Sequence, residues 1–561
     1  MRKIYLLFLL LSPAILLTAQ DKTLYVVKLT DKSNSHFNIS DPSAFLSSKA
    51  IERRLRQNIP IDEADLPVSP AYLEQIRQEG AEIIFSSKWL NTLILRIESQ
   101  SMLSRIAAKP FVKSIYSDTR LFENQGNKPF FDNEVIYKPS SANNVYPKNA
   151  SATDVLSYGA SYNQANMIAI NQLHNLGYMG QGFTIAVIDA GFRSVNTMAA
   201  FDSLRAYNRI LGTRDFVSPG NNVYQNTISS HGTYVLSTMA GWLPGQIIGT
   251  APRANFWLLR SEDANTEYLM EEYYWVSAAE FADSVGVDII NSSLGYTTFD
   301  NPADSHTYAD MDGNTTVITR GADRAASRGI LVVNSAGNSG ATSWKYISAP
   351  ADGDSVLAVG AVNAAGVYAN FSSTGPTYDG RIKPDVSAQG AGCVVATIPT
   401  GISQGDGTSF SSPIIAGAAA CLWQANPAYS AQEIIHALKQ SASFSSNPNN
   451  KVGWGIPDFM VASSHLTAII SQESDPFGGL SAYPNPILND QLMVALELNN
   501  PETIDIRIFN AYGREVFVKT GMKLAQGKNL VALNQLDALI KGIYMLQVSD
   551  GYYVRTMKLL K

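Results

Sequence analysis

Phe183-Thr184-Ile185-Ala186-Val187-Ile188-Asp189 is a short apolar run that ends in a carboxylate. Similar apolar runs recur further along the chain, at 255–259, 287–290, 330–334 and 356–359. Helix-like stretches such as 267–285 and 315–328 lie between them. Continuous apolar strands that alternate with helices indicate a parallel sheet covered on both faces. Residues 151–470 are therefore predicted to form an α/β domain.

The segment before this domain, residues 21–120, alternates between strand and helix periodicity. Strands are predicted at 24–29, 82–85, 92–98 and 111–116, and helices at 42–56, 70–78 and 101–108. If the first two helical pieces act together, the order is βαββαβ, the split-βαβ pattern. Residues 121–150 are rich in Asn, Pro and Ser and predict a linker, where proteolytic nicking concentrates.

The two ends of the chain have a different character. Arg2 and Lys3 precede an apolar run at 4–17, which predicts a secretory signal peptide over residues 1–20 and hence a secreted or cell-surface protein. Residues 471–480 predict a second linker. Residues 481–561 then contain short alternating strands and hairpin turns, which predict a small all-β sandwich.

Composition excludes several classes of protein. The chain has 561 residues, of which 45% are hydrophobic, so it is not a disordered protein. Its 42 basic and 48 acidic residues give a net charge of −6, which argues against nucleic-acid binding. Cys393 and Cys421 are the two cysteines, too few for a disulfide scaffold or a Cys-rich metal site. Both are predicted to be buried small residues, and their pairing is left open.

Three short patterns carry residues suited to nucleophilic catalysis. Asp189 ends a predicted strand, His231 lies in Ser230-His231-Gly232-Thr233, and Ser409 lies in Gly407-Thr408-Ser409-Phe410-Ser411-Ser412-Pro413 at the start of a small-residue helix. A serine hydroxyl needs a neighbouring base, and that base needs a third group to orient it. Asn338, in Ala336-Gly337-Asn338-Ser339, adds a side-chain amide that could stabilise an oxyanion together with the backbone N–H of Ser409. Each pattern alone is weak, but their joint occurrence favours a catalytic site.

These four blocks, in this order, resemble the subtilisin-like serine peptidase family (subtilases) over roughly residues 160–460. The resemblance implies that Asp189 orients His231, that His231 is the general base and acid, and that Ser409 is the nucleophile. It also implies that Asn338 lines the oxyanion hole. The substrate-binding candidates by the same likeness are Ser292, Ser293, Leu294, Gly295, Ala336 and Gly337.

The flanking regions fit the same family. Residues 21–120 resemble the N-terminal propeptide that assists folding and inhibits the site as an intramolecular partner. Tyr483-Pro484-Asn485-Pro486 and the end of the chain are similar to the C-terminal sorting domain of the type IX secretion system of Bacteroidetes. That similarity implies a further partner, the outer-membrane secretion machinery.

Two departures from the family pattern bear on function. Ala190 follows the aspartate where the family usually has Ser or Thr, and Tyr234 replaces a second histidine. We therefore expect one hydrogen bond near Asp189 to be missing. Asp310-Met311-Asp312-Gly313-Asn314 faintly resembles a calcium loop but lacks the distal glutamate, so a solvated insertion is predicted and calcium is the minority alternative.

The sequence thus predicts a secreted serine endopeptidase that acts on proteins or peptides and needs no cofactor for catalysis. The alternative is a subtilase fold with weak catalysis that serves as a surface-binding or adhesion module. Ala190 is the sequence feature that supports this alternative.

Overall fold

The computed structural model describes residues 24–118, 134–137, 154–472 and 477–561, with short gaps at Asn34, Asn221, 226–227, Asn489, 511–513 and 551–553. The predicted signal peptide and most of the predicted 121–150 linker lie outside these residues. The chain divides into two compact units, Met1–Ser463 and Ser464–Lys561.

The N-terminal part of the first unit is an antiparallel sheet with helices. Its described strands pair in the order β2-β3-β1-β4, and Tyr72, Ile76 and Ile106 of two helices are buried against one face of the sheet. This arrangement confirms the predicted propeptide-like fold. The elements are β1 (Leu24–Leu29), α1 (Ser48–Arg56), α2 (Pro70–Gln78), β2 (Glu82–Ser87), β3 (Thr92–Arg96), α3 (Gln100–Ala107) and β4 (Val112–Asp118).

The central part of the first unit contains the strands that position the candidate site. They are β5 (Val135–Tyr137), β6 (Thr184–Asp189), β7 (Ile210–Asp215), β8 (Trp242–Leu243), β9 (Ile247–Ile248), β10 (Asn255–Arg260), β11 (Ile289–Ser292), β12 (Leu331–Ser335), β13 (Leu357–Val362), β14 (Val386–Gln389), β15 (Cys393–Ala396) and β16 (Ile402–Asp406).

Seven of these described strands form a parallel sheet in the order β14-β13-β12-β11-β6-β10-β7. Strand β6 lies inside the sheet, paired with β10 on one side and β11 on the other. The predicted parallel sheet is therefore confirmed. The sequence missed β7 and β14, because the first is half-exposed and the second is a four-residue strand with polar residues.

Helices cover both faces of this sheet. Ala186 and Ile188 of β6 join the core formed with α8 and α9, while the alternate residues Ile185 and Val187 are equally buried. Helices α7 and α10 pack together and against the sheet. The helices of this region are α4 (Tyr162–Asn166), α5 (Ile170–Asn175), α6 (Asp202–Ala206), α7 (His231–Ala240), α8 (Met270–Val285), α9 (Val317–Ser327), α10 (Thr408–Ala425), α11 (Ala431–Ser441) and α12 (Phe459–Gln472).

The propeptide-like sheet packs against α8 through apolar and charged contacts. Phe85 lies 5.3 Å from Phe216 and 5.9 Å from Tyr274 between ring centroids. Beside these rings, Glu280 accepts hydrogen bonds from the backbone N–H groups of Lys88 (2.8 Å) and Trp89 (3.0 Å). The carboxylate of Glu280 thereby fixes the turn between β2 and β3.

A buried group of charges completes this interface. Asp283 on α8 pairs with Arg53 Nη2 at 2.6 Å, with Arg54 Nη2 at 2.9 Å and with Lys88 Nζ at 2.7 Å. Burial alone would raise the pKa of Asp283, but the three cations outweigh that effect and lower it to about 2. The aspartate is therefore ionised at neutral pH.

Helix α1 differs from its prediction. The stretch predicted as one helix over 42–56 is a 3-10 turn at Pro42–Ala44 followed by α1, and α1 does not extend α2. Its basic last turn complements the helix dipole, as predicted, but Arg53 and Arg54 also reach Asp283 in the next domain. This long-range pairing cannot be read from local periodicity.

The second unit is an antiparallel β structure. Its strands are β17 (Phe477–Tyr483), β18 (Leu492–Leu498), β19 (Glu502–Asn510), β20 (Glu515–Leu524), β21 (Gly527–Leu533), β22 (Ile543–Ser549) and β23 (Val554–Leu560). In the part of this unit that the structure describes, the sheets β17-β18-β21 and β20-β19-β22-β23 share one apolar core, which includes Leu492, Ile506 and Leu546. The predicted all-β fold is confirmed.

Both predicted linkers contain regular structure. Helix α12 extends to Gln472 and β17 begins at Phe477, within the predicted 471–480 linker. Strand β5 lies within the predicted 121–150 linker. The polar composition of these stretches hid the pairing of β5 with the distant β16 and of β17 with the next strand, β18. The domain boundaries themselves stay predictions.

Two smaller findings complete the fold. Cys393 and Cys421 are buried free thiols, as small core residues would be. Across the described ranges, no helix has both the length and the apolar character needed to cross a bilayer.

The Asp283 cluster generates a stability prediction. Asp283→Asn removes the ion-pair partner of the buried Arg53 and Lys88 and leaves Arg54 paired with Asp65 alone. Breaking a buried ion pair from one side typically costs about 3–5 kcal/mol. We expect a lower urea midpoint for the transition of the propeptide-like domain, followed by tryptophan fluorescence. The wild type should lose the same stability as the pH falls from about 4, the usual pKa of aspartate, toward 2, because Asp283 is then protonated.

Asp202→Asn is the matched control. Asp202 forms a surface ion pair with Arg205 three residues along α6, and its side chain is 70% exposed. Such pairs contribute less than about 1 kcal/mol. Equal urea midpoints for the two variants would contradict the importance assigned to the buried cluster.

Candidate active site

Asp189 and His231 are in direct contact at the carboxyl end of the central sheet. Asp189 is the last residue of β6 and is fully buried. Its Oδ1 accepts hydrogen bonds from His231 Nδ1 at 2.7 Å and from the backbone N–H of Ala190 at 2.7 Å. His231 is the first residue of α7, so strand end and helix start together hold the pair. The bond places a proton on Nδ1 and directs Nε2 outward.

A second carboxylate lies on the other side of the imidazole. Glu134 Oε2 is 3.0 Å from His231 Nε2. Burial by itself lowers the pKa of His231, but the charges of Asp189 and Glu134 outweigh burial and raise that pKa to about 10. In this arrangement the imidazole is therefore protonated at neutral pH.

Ser409 lies in the first turn of α10, next to this pair. Its hydroxyl donates to the carbonyl oxygen of Ser293 at 3.4 Å. The ring of the following residue, Phe410, is centred 6.3 Å from the imidazole of His231. The structure thus places the predicted nucleophile at the N-terminus of α10, with the next residue, Phe410, near the imidazole of His231, although Ser409 and His231 are 178 positions apart in the sequence.

The side-chain amide of Asn338 is held by hydrogen bonds to Thr408, the residue before Ser409. Its Oδ1 accepts from the backbone N–H of Thr408 at 2.8 Å and from the Thr408 hydroxyl at 2.9 Å. The same hydroxyl accepts from the backbone N–H of Gly337 at 3.1 Å. These bonds leave Nδ2 of Asn338 as the donor, and it lies 3.0 Å from Glu134 Oε1. Thr408 therefore orients the amide.

Of the predicted substrate-binding residues, Ser293 is in direct contact with Ser409. Ser292 ends β11 and its hydroxyl accepts from Trp275 Nε1 at 2.9 Å, so its side chain is directed into the core. The Ser293 hydroxyl donates to the carbonyl oxygen of Ser409 at 3.0 Å. Asn334 donates to the carbonyl oxygen of Leu294 at 3.0 Å.

Three further candidates stand near these residues. Gly295 continues the chain after Leu294 and is half-buried. Ala336 and Gly337 follow β12 and lead into Asn338, and the N–H of Ala336 donates to the carbonyl oxygen of Val359 at 2.9 Å. The role of all six residues in binding substrate stays a prediction.

The structure shows the hydrogen bonding around the two departures from the family pattern, Ala190 and Tyr234. Among the described residues, Oδ2 of Asp189 has no hydrogen-bond donor, which is the missing bond expected from Ala190. Tyr234 shares a hydrogen bond with the Ser230 hydroxyl at 3.1 Å. Sequence reading identified the first of these consequences.

Two groups of carboxylates outside this site have the residue types of metal ligands. Asp310 and Asp312 accept hydrogen bonds from backbone N–H groups in their own turns, as in a solvated loop. Elsewhere in the described ranges, Glu262, Glu267 and Glu271 are buried with oxygens close enough to share a cation. Tyr296 already donates to Glu262, and an acidic cluster alone does not establish a metal site.

Sequence reading missed two residues of this site. Thr408 stands directly before the predicted nucleophile in the serine block, and its hydroxyl is a usable signal for a role in the site. Glu134 was placed in a linker, and no local pattern marks it. Strand pairing brings it to the site, as described below.

The charge on His231 gives a spectroscopic prediction. Glu134→Gln removes one of the two carboxylates that stabilise the imidazolium, so the pKa of His231 should fall below its value of about 10. The titration can be followed by NMR of ¹³C-labelled histidine in the Ser409→Ala chain, which has only six histidines to resolve. A His231→Ala sample assigns the signal. An unchanged titration would contradict the contact with Glu134.

Comparison with known families matches all three regions of the chain. The subtilase family matches residues 180–455, the Bacteroidota propeptide domain of peptidase S8 matches 24–129, and the secretion system C-terminal sorting domain matches 481–561. Among solved structures, the prenylagaramide maturation protease PagA superposes with a TM-score of 0.43 and 23% identity, over 53% of this chain and 98% of that one.

Curated relatives agree with the central match. Subtilisin of Bacillus pumilus is 32% identical over 276 residues, which are 48% of this chain and 88% of that protein. Subtilisin E of Bacillus subtilis (strain 168) is 32% identical over 279 residues, and the chain spans 64% of its length. The identity to the first of these, over most of its length, establishes that the chain belongs to the subtilase family.

Proposed function

We propose that this chain is an exported serine endopeptidase that hydrolyses peptide bonds with Asp189, His231 and Ser409. The observation that carries the proposal is the 2.7 Å contact between Asp189 Oδ1 and His231 Nδ1 at the N-terminus of α7, a helix that packs against the Ser409 helix α10. A buried carboxylate bonded to an imidazole beside a serine is the arrangement that activates a hydroxyl.

The acylation step uses each of these groups once. Neutral His231 takes the proton of the Ser409 hydroxyl at Nε2 while Oγ forms a bond to the substrate carbonyl carbon. Asp189 keeps its bond to the Nδ1 proton and stabilises the positive charge that forms on the ring. The carbonyl oxygen becomes an oxyanion, which the amide of Asn338 and the backbone N–H of Ser409 stabilise.

The intermediate then breaks in the forward direction. The C–N bond breaks, His231 gives its proton to the departing amine, and an acyl-enzyme on Ser409 remains. Water attacks this ester with His231 as the base, and the peptide acid leaves while Ser409 regains its proton. Because His231 must be neutral to begin, activity falls as the pH drops through the pKa that His231 has when Glu134 is not in contact with it.

The site is suited to a peptide substrate in an extended conformation. We assign the backbone of Ser292, Ser293, Leu294 and Gly295 to pairing with the chain of a protein or peptide substrate, as a strand added to an edge. Ala336 and Gly337 would form the opposite wall beside Asn338. The residues between 292 and 295 follow β11 without a break and so present their backbone at the sheet end.

The flanking domains indicate how the enzyme is delivered and controlled. We assign residues 24–129 to a propeptide that inhibits the site as an intramolecular partner, supported by its buried contacts with α8. Residues 481–561 would direct export through the outer-membrane secretion machinery, after a signal peptide at 1–20. The product would be secreted or held at the cell surface.

A second candidate function has one observation in its favour. Oδ2 of Asp189 has no donor among the described residues, so the aspartate is less firmly held than a neighbouring hydroxyl would allow. A subtilase fold with weak catalysis would then act as a surface-binding or adhesion module.

The nucleophile is tested by Ser409→Ala. The processed variant should lose about 10³–10⁶ in turnover of casein, as equivalent changes do in subtilisin. Ser327→Ala is the control, because Ser327 is exposed at the end of α9. A fluorophosphonate probe should label the wild type at Ser409. Casein cleavage that survives Ser409→Ala would refute the peptidase, and a processed wild type that stays unlabelled would favour the binding module.

The role of Thr408 gives a second prediction. Thr408→Val removes the hydroxyl that holds Asn338 and should lower kcat by about tenfold with little change in KM, because the amide acts on the oxyanion. Thr408→Ser keeps the hydroxyl and should stay within about threefold of wild type. Equal kcat values for the two variants, measured on a chromogenic peptide, would remove Thr408 from the mechanism.

A further inference from the structure

We propose that His231 and Asn338 form a carboxylate-binding site and that residues 134–137, the inhibitory segment, occupy it as an inhibitor carried by the chain itself. The inference rests on the peptidase function proposed above and names the contact that would keep it inactive. The ligand class is an extended peptide that presents an acidic side chain.

Strand pairing holds the inhibitory segment in place. β5 runs antiparallel to β16, with Tyr137 opposite Gln404, Ile136 opposite Gly405 and Val135 opposite Asp406. The hydroxyl of Tyr137 also donates to Asp406 Oδ1 at 3.1 Å. One residue after Asp406 the chain enters α10, which carries Ser409. The register therefore brings Glu134 to the start of that helix.

Two glycines leave room for the segment. A Cβ atom at Gly407 would lie 3.0 Å from Glu134 Oε1, and one at Gly405 would lie 2.8 Å from Ile136 Cδ1. Val135 is 52% exposed and Ile136 is 37% exposed, so neither enters a deep pocket. Recognition by the segment thus rests on backbone pairing and on the carboxylate of Glu134.

The two carboxylate oxygens of Glu134 bind two different groups of the site. Oε2 lies 3.0 Å from His231 Nε2 and Oε1 lies 3.0 Å from Asn338 Nδ2, and the side chain is only 7% exposed. Nε2 carries a single hydrogen or lone pair, so a ring that donates to Glu134 cannot take the proton of Ser409. The amide of Asn338 is engaged at the same time. One side chain therefore blocks the base and the oxyanion donor together.

The same geometry explains why a carboxylate fits. A peptide acid released from Ser409 would also present two oxygens, one toward the oxyanion donors and one toward the histidine. Glu134 offers these two oxygens from a side chain, so no bond is broken and the inhibitor is not consumed. The positive charge that it stabilises on His231 in turn strengthens the ion pair between the two side chains.

The position of Glu134 in the chain sets a condition for activation. The match to the propeptide domain ends at residue 129, before Glu134. A cut between these points removes the propeptide domain but leaves the inhibitory segment joined to the catalytic domain. Full activity therefore requires a cut after Tyr137.

The test uses the intact full-length chain and a fluorophosphonate probe. The rate of labelling at Ser409 is measured on the uncut band by gel fluorescence for the wild type, Glu134→Ala, Glu134→Gln and Glu52→Gln. Glu52 is exposed on α1 and makes the same change of charge far from the site. The active wild-type form is then analysed by mass spectrometry for its N-terminus.

We expect Glu134→Ala to react at least about tenfold faster than the wild type, because charge-assisted hydrogen bonds to the site are lost. Glu134→Gln should also be faster, and Glu52→Gln should equal the wild type. The active form should begin after residue 137. If Glu134→Ala does not melt cooperatively, the isosteric Glu134→Gln decides.

Two outcomes would overturn the inference. Wild-type labelling rates in both Glu134 variants would show that the carboxylate does not inhibit, and a fully active form that begins before Glu134 would show that the segment need not leave. In either case the processed chain is still labelled at Ser409, so the peptidase stands. Absence of labelling in the processed chain would instead refute the peptidase, and this inference with it.

Discussion

The site depends on a carboxylate that the fold places where water cannot reach it. Asp189 is fully buried at the end of an interior strand, and an ionised carboxylate there needs a compensating partner. The Nδ1–H of His231 and the N–H of Ala190 provide that compensation. The parallel sheet is what makes this possible, since it brings the carboxyl end of β6 and the starts of α7 and α10 to one edge. The position of the histidine, and therefore the chemistry open to Ser409, follows from this constraint.

Two separate contacts in the first unit join N-terminal residues to the catalytic domain. The propeptide-like sheet is attached to α8 by aromatic contacts and by the charges around Asp283, remote from the catalytic groups. The inhibitory segment lies directly on those groups through Glu134. Because one contact is made by a folded domain and the other by four residues, they can be lost at separate steps of maturation.

Most of the architecture followed from the sequence, because apolar periodicity is local. The strands that flank β6, the helices α8 and α9 and the propeptide-like order were predicted from runs of a few residues. The catalytic candidates were found because Asp189, His231 and Ser409 each stand in a distinct local motif. Edge strands such as β7 escaped because half-exposed strands lack a continuous apolar run.

What the sequence could not reveal depends on pairing between remote segments. Glu134 lies in no recognisable motif. It reaches the site only because β5 pairs with β16, about 270 residues later in the chain. The contact of α1 with Asp283 escaped for the same reason. Both misses concern interactions across the boundary between a flanking segment and the catalytic domain, where the periodicity of either partner says nothing about the other.

The carboxylates on α8 have a consequence for the surface of the processed protein. In the processed form proposed above, Arg53, Arg54 and Lys88 leave with the N-terminal domain, so that Asp283 and Glu280 would become hydrated anions and Phe216 and Tyr274 would lose their contact with Phe85. A neutral, dry contact is thereby converted into a wet face that is both acidic and aromatic. Solvation of the two freed anions offsets part of the energy lost on separation, and the new face repels acidic proteins while attracting basic ones.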